Sequence, residues 1–174
     1  MEKSEVHCYL DQGLCRKCLF DYRNSVFKDN SNLIIWSVKL SFKKGEKSEL
    51  KNTILKNMMY RQEKHPLECA SCGSVFKNIS DKNYMRQILD KDCEAKNNIQ
   101  KWGNKIPTAY LIDRCGLKNI KVGGAMIAEK QPNFILNAKN ARAEDVIILI
   151  GIIKERVGHK FGIIIEEEVR LIGF

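Results

Sequence analysis

Residues 67–79 read Leu67-Glu-Cys-Ala-Ser-Cys-Gly-Ser-Val-Phe-Lys-Asn-Ile79, the densest local signal in the chain. Gly73 can adopt the backbone angles of a tight turn, and the apolar residues that follow are typical of a short strand. We therefore predict a turn at Gly73 that leads into a strand and places the Ser74 hydroxyl directly after the glycine. An ordinary Gly-Ser turn would explain this pattern. The hydrolase elbow Gly-x-Ser-x-Gly does not, because Cys72 and Phe76 occupy its glycine positions.

Upstream of this stretch, the hydrophobic pattern predicts one strand and one helix. Residues 33–43 alternate between apolar and polar side chains, as in a half-buried strand. Its buried face would consist of Trp36, Val38, Leu40 and Phe42. From Glu46 to about Arg61 the apolar residues recur every fourth position, which indicates an amphipathic helix. Its apolar stripe would consist of Leu50, Ile54 and Met58.

Downstream, the pattern mixes helices and strands without regular alternation. Residues 80–104 are the most polar stretch, and we interpret them as a partly helical surface insertion. Its apolar side would consist of Tyr84, Ile88 and Leu89. Pro107 suits the first turn of a helix over Thr108 to Cys115, which Gly116 would end.

The last third of the chain predicts a tight passage, a short strand and a long helix. Gly123-Gly124 marks the tight backbone passage. Residues 133–137 would form the short strand, and residues from about 143 to 160 would form the long helix. Glu144 and Asp145 would lie in the first helical turn, where the helix dipole favours carboxylates. Since these elements do not form repeated βαβ units, the predicted fold class is α+β.

Length and charge narrow the possible functions without choosing one. The 174 residues suit one domain, or one domain and a fragment of another. No apolar stretch approaches the roughly 20 residues that a membrane helix needs, and Met1 to Glu5 do not resemble a signal peptide. We therefore expect a cytoplasmic protein. Its net charge of +9 is scattered along the chain and indicates an anionic partner, with nucleic acid an unlikely one.

Two Cys-x-x-Cys pairs raise the alternative of a zinc site. Cys15/Cys18 and Cys69/Cys72 could together supply four thiolates. However, 50 residues separate the pairs, whereas zinc ribbons usually have about 15–20. A small basic module that binds zinc or nucleic acid is therefore the weaker alternative, and we predict no metal.

Three consecutive glutamates, Glu166-Glu167-Glu168, precede an apolar segment near the end of the chain. Strand alternation would send Glu167 to one side and its two neighbours to the other. Such a run is usually a solvated face, although one carboxylate could still point into a site.

Four motifs, in this order, resemble one enzyme family. They are Phe20-Asp-Tyr-Arg-Asn-Ser-Val-Phe27, Pro66 to Asn78, Leu111-Ile-Asp-Arg-Cys-Gly-Leu-Lys118 with Val122-Gly-Gly-Ala125, and Glu168-Val-Arg170. Together they resemble the UDP-N-acetylenolpyruvoylglucosamine reductases, also called UDP-N-acetylmuramate dehydrogenases. The resemblance covers about residues 18–174, matches residues 80–104 poorly, and is to the type that lacks a tyrosine-bearing substrate loop.

The resemblance implies an enzyme of peptidoglycan synthesis that uses NADPH and FAD to reduce UDP-N-acetylglucosamine enolpyruvate to UDP-N-acetylmuramate. It implies a remnant of the flavin-binding domain over residues 1–64 and the substrate-binding C-terminal domain over residues 65–174. The glycine-rich turn that holds the FAD diphosphate in the family has no counterpart here. We therefore expect a truncated form that binds FAD poorly alone, and a separate chain could supply the missing part.

The resemblance also implies site residues. Ser74 would be the general acid, while Arg23 and Glu168 would polarise the enolpyruvyl group and stabilise the enolate. Asn78, Arg61 and Tyr22 would contact the UDP-sugar substrate, and the cofactor-binding residues stay unknown. A second hypothesis is a non-catalytic remnant that binds a UDP-sugar or a partner chain.

Overall fold

The computed structural model describes residues 9–10, 13–14, 18–30, 32–38 and 42–173. The chain divides into two compact units, Met1–Lys56 and Asn57–Phe174. The helices are α1 (Val26–Asp29), α2 (Lys47–Lys64), α3 (Lys82–Lys91), α4 (Cys93–Asn98), α5 (Thr108–Arg114) and α6 (Ala143–Phe161). The strands are β1 (Tyr9–Leu10), β2 (Gly13–Leu14), β3 (Ala70–Ser74), β4 (Lys121–Val122), β5 (Ala125–Ile127) and β6 (Phe134–Asn137). The predicted α+β class is confirmed.

Before α2, the described residues of the first unit contain little regular structure. Strands β1 and β2 pair antiparallel, and α1 is a single short helix. The strand predicted over residues 33–43 is wrong for residues 33–38, which form no strand, and residues 39–41 lie outside the described part. Trp36 is 95% exposed and Phe42 80% exposed, so neither belongs to a buried face. Alternation alone does not make a strand, because a strand also needs a partner for its hydrogen bonds.

Helix α2 confirms the helix predicted between Glu46 and about Arg61. Its apolar stripe is not buried, since Leu50, Ile54 and Met58 are each more than half exposed. The boundary between the two units falls within this helix.

The second unit is built on an antiparallel sheet with the strand order β3-β6-β5-β4. The predicted Gly123-Gly124 passage is the loop of the β4–β5 hairpin, in which Val122 pairs with Ala125. A Cβ atom at position 124 would collide with the backbone of Lys139 and Ala141, so the close chain approach requires glycine there.

Helix α6 packs against the sheet and supplies much of the core. Its fully or almost fully buried side chains are Leu149, Ile150, Ile153, Val157 and Phe161. They lie in one cluster with Val75 and Phe76 from the segment after β3. This burial fixes the helix relative to the segment that follows Ser74.

Residues 80–104 are partly helical, as predicted, but they are not a surface insertion. Helices α3 and α4 contribute Ile88 and Ala95 to the core, both with no exposed surface. The Gln87 amide also donates hydrogen bonds to the carbonyl oxygens of Phe161 and Gly162, at 3.1 and 3.2 Å. The polar composition hid this role because most of the remaining side chains face solvent.

Candidate active site

Strand β3 carries Ser74 at its end, just after an irregularity in the sheet. Ser71 pairs with Leu136 and Ser74 with Phe134, so β3 has one residue more than β6 between these pairs. Gly73 lies in this bulge with a φ of +84°, which glycine adopts readily. The structure thus differs from the predicted turn: the strand continues through Gly73, and the bulge re-aims the half-buried Ser74.

The segment after Ser74 joins it to the glutamate run. Phe76 lies opposite Glu167 in an antiparallel bridge. The Glu168 backbone N–H donates to the Val75 carbonyl oxygen at 2.7 Å, and the Lys77 N–H donates to the Glu166 carbonyl oxygen at 2.9 Å. Ser74 and Glu168, which are 94 residues apart in the chain, are therefore connected through one residue, Val75.

On its other edge the same segment is held by Asn133, which sequence reasoning treated only as the start of a strand. Its side chain accepts a hydrogen bond from the Phe76 N–H at 2.9 Å and donates one to the Phe76 carbonyl oxygen at 2.8 Å. Its own carbonyl oxygen accepts from the Val75 N–H at 2.8 Å. No local signal could reveal this role, because the contact spans 57 residues.

Asn78 lies at the exposed end of this segment. Its side-chain oxygen accepts a hydrogen bond from the backbone N–H of Thr108 at 3.3 Å, and the Thr108 hydroxyl donates to the Lys77 carbonyl oxygen. Both contacts tie the segment to the first residue of α5. Asn78 therefore follows Ser74 on the same anchored stretch of chain.

The first two glutamates of the run bind different lysines, as alternation predicts. Glu166 pairs with Lys77 at 2.9 Å and Glu167 pairs with Lys154 of α6 at 2.8 Å. Burial by itself raises the pKa of Glu167, but the hydrogen bond and charge of Lys154 outweigh it and hold that pKa below its ordinary value. These pairs anchor the backbone that presents Glu168, which is itself partly buried.

Tyr22 and Arg23 belong to the first unit, where they form the tip of a tight turn. Asp21 and Asn24 exchange two backbone hydrogen bonds of 3.1 Å across it. Arg23 has a φ of +56°, a left-handed conformation that is rare for a residue with a long side chain. Its guanidinium carbon lies 5.9 Å from the centre of the Tyr22 ring, within the range of a cation–π contact.

Arg61 is exposed in the last turn of α2. It belongs to the second unit, and its carbonyl oxygen accepts a hydrogen bond from the His65 N–H at 2.9 Å. Of the six predicted site residues, the structure joins Ser74 and Glu168 through the backbone of Val75, and Asn78 follows Ser74 on the same segment of the second unit.

The zinc alternative finds no support where the structure can test it. Across residues 18–30, 32–38 and 42–173, no three His, Cys, Asp or Glu side chains are grouped to hold a metal ion. Cys69 and Cys72 are free thiols, and Cys15 lies outside the described residues.

Among the described residues, no helix has the length and apolarity needed to cross a membrane.

Comparison with known proteins agrees with the sequence resemblance. The chain matches the family model for the UDP-N-acetylenolpyruvoylglucosamine reductase C-terminal domain over residues 65–172. A reductase of that name from Fervidobacterium nodosum is 38% identical over 152 residues, covering 87% of this chain and 42% of the relative. The Thermotoga maritima reductase is 36% identical, covering 87% of this chain and 45% of the relative.

A solved structure shows the same relationship. The crystal structure of UDP-N-acetylenolpyruvylglucosamine reductase from Thermus caldophilus has a TM-score of 0.62 and 25% identity, covering 95% of this chain and 51% of that one. The chain spans less than half the length of the curated relatives named above. With a family match over more than half of its residues, the chain belongs to the UDP-N-acetylenolpyruvoylglucosamine reductase family and contains the C-terminal domain of these oxidoreductases.

Proposed function

We propose that this chain provides the substrate-side catalytic residues for the reduction of UDP-N-acetylglucosamine enolpyruvate to UDP-N-acetylmuramate in peptidoglycan synthesis. The observation that carries the proposal is the connection of Ser74 to Glu168 through the backbone of Val75. It links a hydroxyl that could deliver a proton to a carboxylate that could act on the same substrate group. The substrate-binding domain is proposed to span residues 65–174, and the family match begins at the first of these.

Ser74 is proposed to complete the reaction as the general acid. Hydride addition to the methylene carbon of the enolpyruvyl group leaves an electron pair on the neighbouring carbon, delocalised into the carboxylate. The Ser74 hydroxyl gives its proton to that carbon, which forms the C–H bond of the lactyl product. A serine is a weak acid in water, but it can protonate a strongly basic enolate when it is held in place.

Arg23 and Glu168 are proposed to stabilise the enolate. Negative charge grows on the carboxylate-bearing fragment during hydride addition, so a fixed guanidinium stabilises the transition state more than the ground state. The left-handed turn at Arg23 supports this role, since strained backbone conformations cluster at functional sites.

Asn78, Arg61 and Tyr22 are proposed to bind the UDP-sugar. Asn78 follows Ser74 on the anchored segment, and a guanidinium such as that of Arg61 suits the diphosphate of the substrate. The net charge of +9 favours the approach of such an anionic substrate.

The described residues of the first unit contain no glycine-rich turn that would fit the diphosphate of FAD. A glycine-rich turn with exposed N–H groups would bind it, whereas Gly13 and Gly45 are isolated glycines in the described part of the first unit. FAD, which supplies the hydride, and NADPH are therefore proposed to bind residues beyond those described. A preceding segment or a separate chain could provide these residues. The first 64 residues are proposed to complete the flavin-binding domain. The nucleotide-linked substrate and NADPH favour a cytoplasmic location.

A chimera tests this proposal. The front part of the Thermotoga maritima reductase, which this chain does not match, would be joined to these 174 residues, and NADPH oxidation would be measured with and without the enolpyruvyl substrate. We expect substrate-dependent oxidation that Ser74→Ala reduces about 10²–10⁴-fold, the usual contribution of a general acid. Flavin reduction by NADPH should survive the substitution.

Ser80→Ala is the matched control, because Ser80 is an exposed serine six residues further along. Equal turnover by the two variants would contradict the acid role of Ser74. A wild-type chimera that binds the UDP-sugar and reduces its flavin without turnover would instead favour the non-catalytic remnant.

A further inference from the structure

Asn133 is a buried polar residue whose hydrogen bonds all go to one short segment. The residue is 4% exposed. Its side-chain amide bonds both backbone groups of Phe76, and its carbonyl oxygen accepts from the N–H of Val75. The amide thus behaves like a peptide group of a neighbouring strand.

The Asn133 side chain bonds the segment just beyond the last residue pair of β3 and β6. The pairing of β3 with β6 stops at Ser74 and Phe134. Asn133 lies in the turn before β6, where the Phe134 N–H donates to the Gln131 carbonyl oxygen. Without the Asn133 side chain, the Phe76 N–H and carbonyl oxygen would lose these partners in a residue that is 1% exposed. A buried backbone group without a partner is costly, so the segment would have to shift.

Such a shift would reach both site residues at once. The Val75 N–H donates to the backbone carbonyl oxygen of Asn133, and the Val75 carbonyl oxygen accepts from the Glu168 N–H. The Val75-Phe76 segment is therefore held by hydrogen bonds to Asn133 on one edge and to Glu168 on the other. A displacement of about 1 Å at a reacting group can lower a rate about 100-fold.

We propose that Asn133 is a positioning residue that sets the spacing between Ser74 and Glu168. Its side chain acts through the backbone of Phe76 and does not contact the substrate. This role rests on the proposed function for its catalytic meaning, whereas the spacing itself is a property of the folded chain.

Amide hydrogen exchange in the full 174-residue chain tests the spacing without any activity. Asn133→Ala should lower the protection of the Val75, Phe76 and Glu168 amides. Asn137→Ala is the matched control, because the side chain of Asn137, the last residue of β6, accepts instead from the Ala141 N–H at 2.9 Å. That variant should lower protection at Ala141 and leave the other three amides unchanged. Unchanged protection at Phe76 and Glu168 in Asn133→Ala would overturn the proposal.

The chimera described above tests the consequence. In Asn133→Ala, reoxidation of the reduced flavin by the enolpyruvyl substrate should slow about 10–100-fold, while flavin reduction by NADPH is unchanged. Equal reoxidation rates in Asn133→Ala and Asn137→Ala would overturn the positioning role. If the wild-type chimera shows no reoxidation, the proposed function fails, and the exchange measurement still decides on the spacing.

Asn133→Asp provides a second variant, of nearly the same shape, should the alanine variant fail to fold. It keeps an oxygen that can accept from the Phe76 N–H, but its ionised carboxylate cannot donate to the Phe76 carbonyl oxygen. We expect a loss of Phe76 and Glu168 protection, relative to wild type, that decreases as the pH is lowered and the carboxyl group is protonated. A loss independent of pH would contradict the role of the donated hydrogen bond.

Discussion

Gly73 shows how a single residue can determine where a functional side chain points. Its φ of +84° belongs to the bulge that precedes Ser74, and a Cβ atom there would meet no neighbouring atom within 4 Å. The cost of a side chain is therefore conformational rather than steric. We expect Gly73→Ala to lower the free energy of unfolding by about 1–2 kcal/mol, the cost of a left-handed residue, as measured by urea denaturation.

Gly151 is the matched control for this substitution. It lies within α6, and a Cβ atom there would also meet nothing within 4 Å, but its φ is not positive. Gly151→Ala should raise the free energy of unfolding by about 0.5–1 kcal/mol, because alanine favours helix. Destabilisation by both substitutions would indicate that crowding, and not the backbone angle, decides the cost at Gly73.

At the level of elements, local patterns predicted the helices better than the strands. Helices α5 and α6 follow from signals within their own sequences, such as Pro107 before α5 and Glu144-Asp145 in the first turn of α6. The strand expected at residues 33–43 is wrong for residues 33–38, because strand pairing depends on distant parts of the chain. The burial of Ile88 likewise depends on α6, which begins 55 residues later.

Like the fold, the candidate site could be predicted from the sequence only in part. Family motifs predicted Ser74 and Glu168 as site residues, and the structure connects their backbones through Val75. The role of Asn133 was not predicted, because its sequence neighbourhood indicates only the start of a strand. Its function lies in contacts with a segment 57 residues away, which neither spacing nor periodicity encodes.

The attachment of α4 to α5 supports a prediction at this scale. The Tyr110 hydroxyl of α5 lies 2.9 Å from both carboxylate oxygens of Asp92. Asp92 in turn caps α4 by accepting from the N–H groups of Glu94 and Ala95. Because hydrogen bonds to charged groups are the stronger ones, Tyr110→Phe should lower the free energy of unfolding by about 1.5–3 kcal/mol in urea denaturation.

Tyr84→Phe is the corresponding control in α3. The Tyr84 ring packs against the core, and the described residues provide its hydroxyl with no hydrogen-bond partner. Its removal should leave the unfolding free energy within about 0.5 kcal/mol of wild type. A loss of equal size in both variants would show that the Tyr110–Asp92 contact contributes nothing of its own.

For the whole molecule, three carboxylates link stability to pH. Burial by itself raises the pKa of Asp92, but hydrogen bonds from the Ala95 N–H and the Tyr110 hydroxyl, with the charge of Arg114, hold that pKa below its ordinary value of 3.8. The backbone N–H groups of Arg142 and Gly124 lower the pKa of Asp145. Lys154 lowers that of Glu167 despite burial.

Since these three pKa values are lower in the folded chain, the unfolded chain binds protons first as the pH falls. The stability that the carboxylates contribute is fully present above their ordinary values of 3.8 and 4.5. It is lost as the pH falls through the folded values. Protonation also raises the net charge above the +9 of neutral pH, which adds self-repulsion to the folded state.

We therefore expect the free energy of unfolding, measured by urea denaturation, to be level between about pH 6 and 5 and to fall steadily below about pH 4. Glu167→Gln should lower stability at pH 6 and make the acid decline shallower, because one of the three linked groups is gone. Glu166→Gln is the control, since Glu166 is a largely exposed member of the same run and exposed ion pairs contribute little. Constant stability down to pH 3, or equal pH profiles for the two variants, would exclude the Lys154–Glu167 contact as a source of the acid sensitivity.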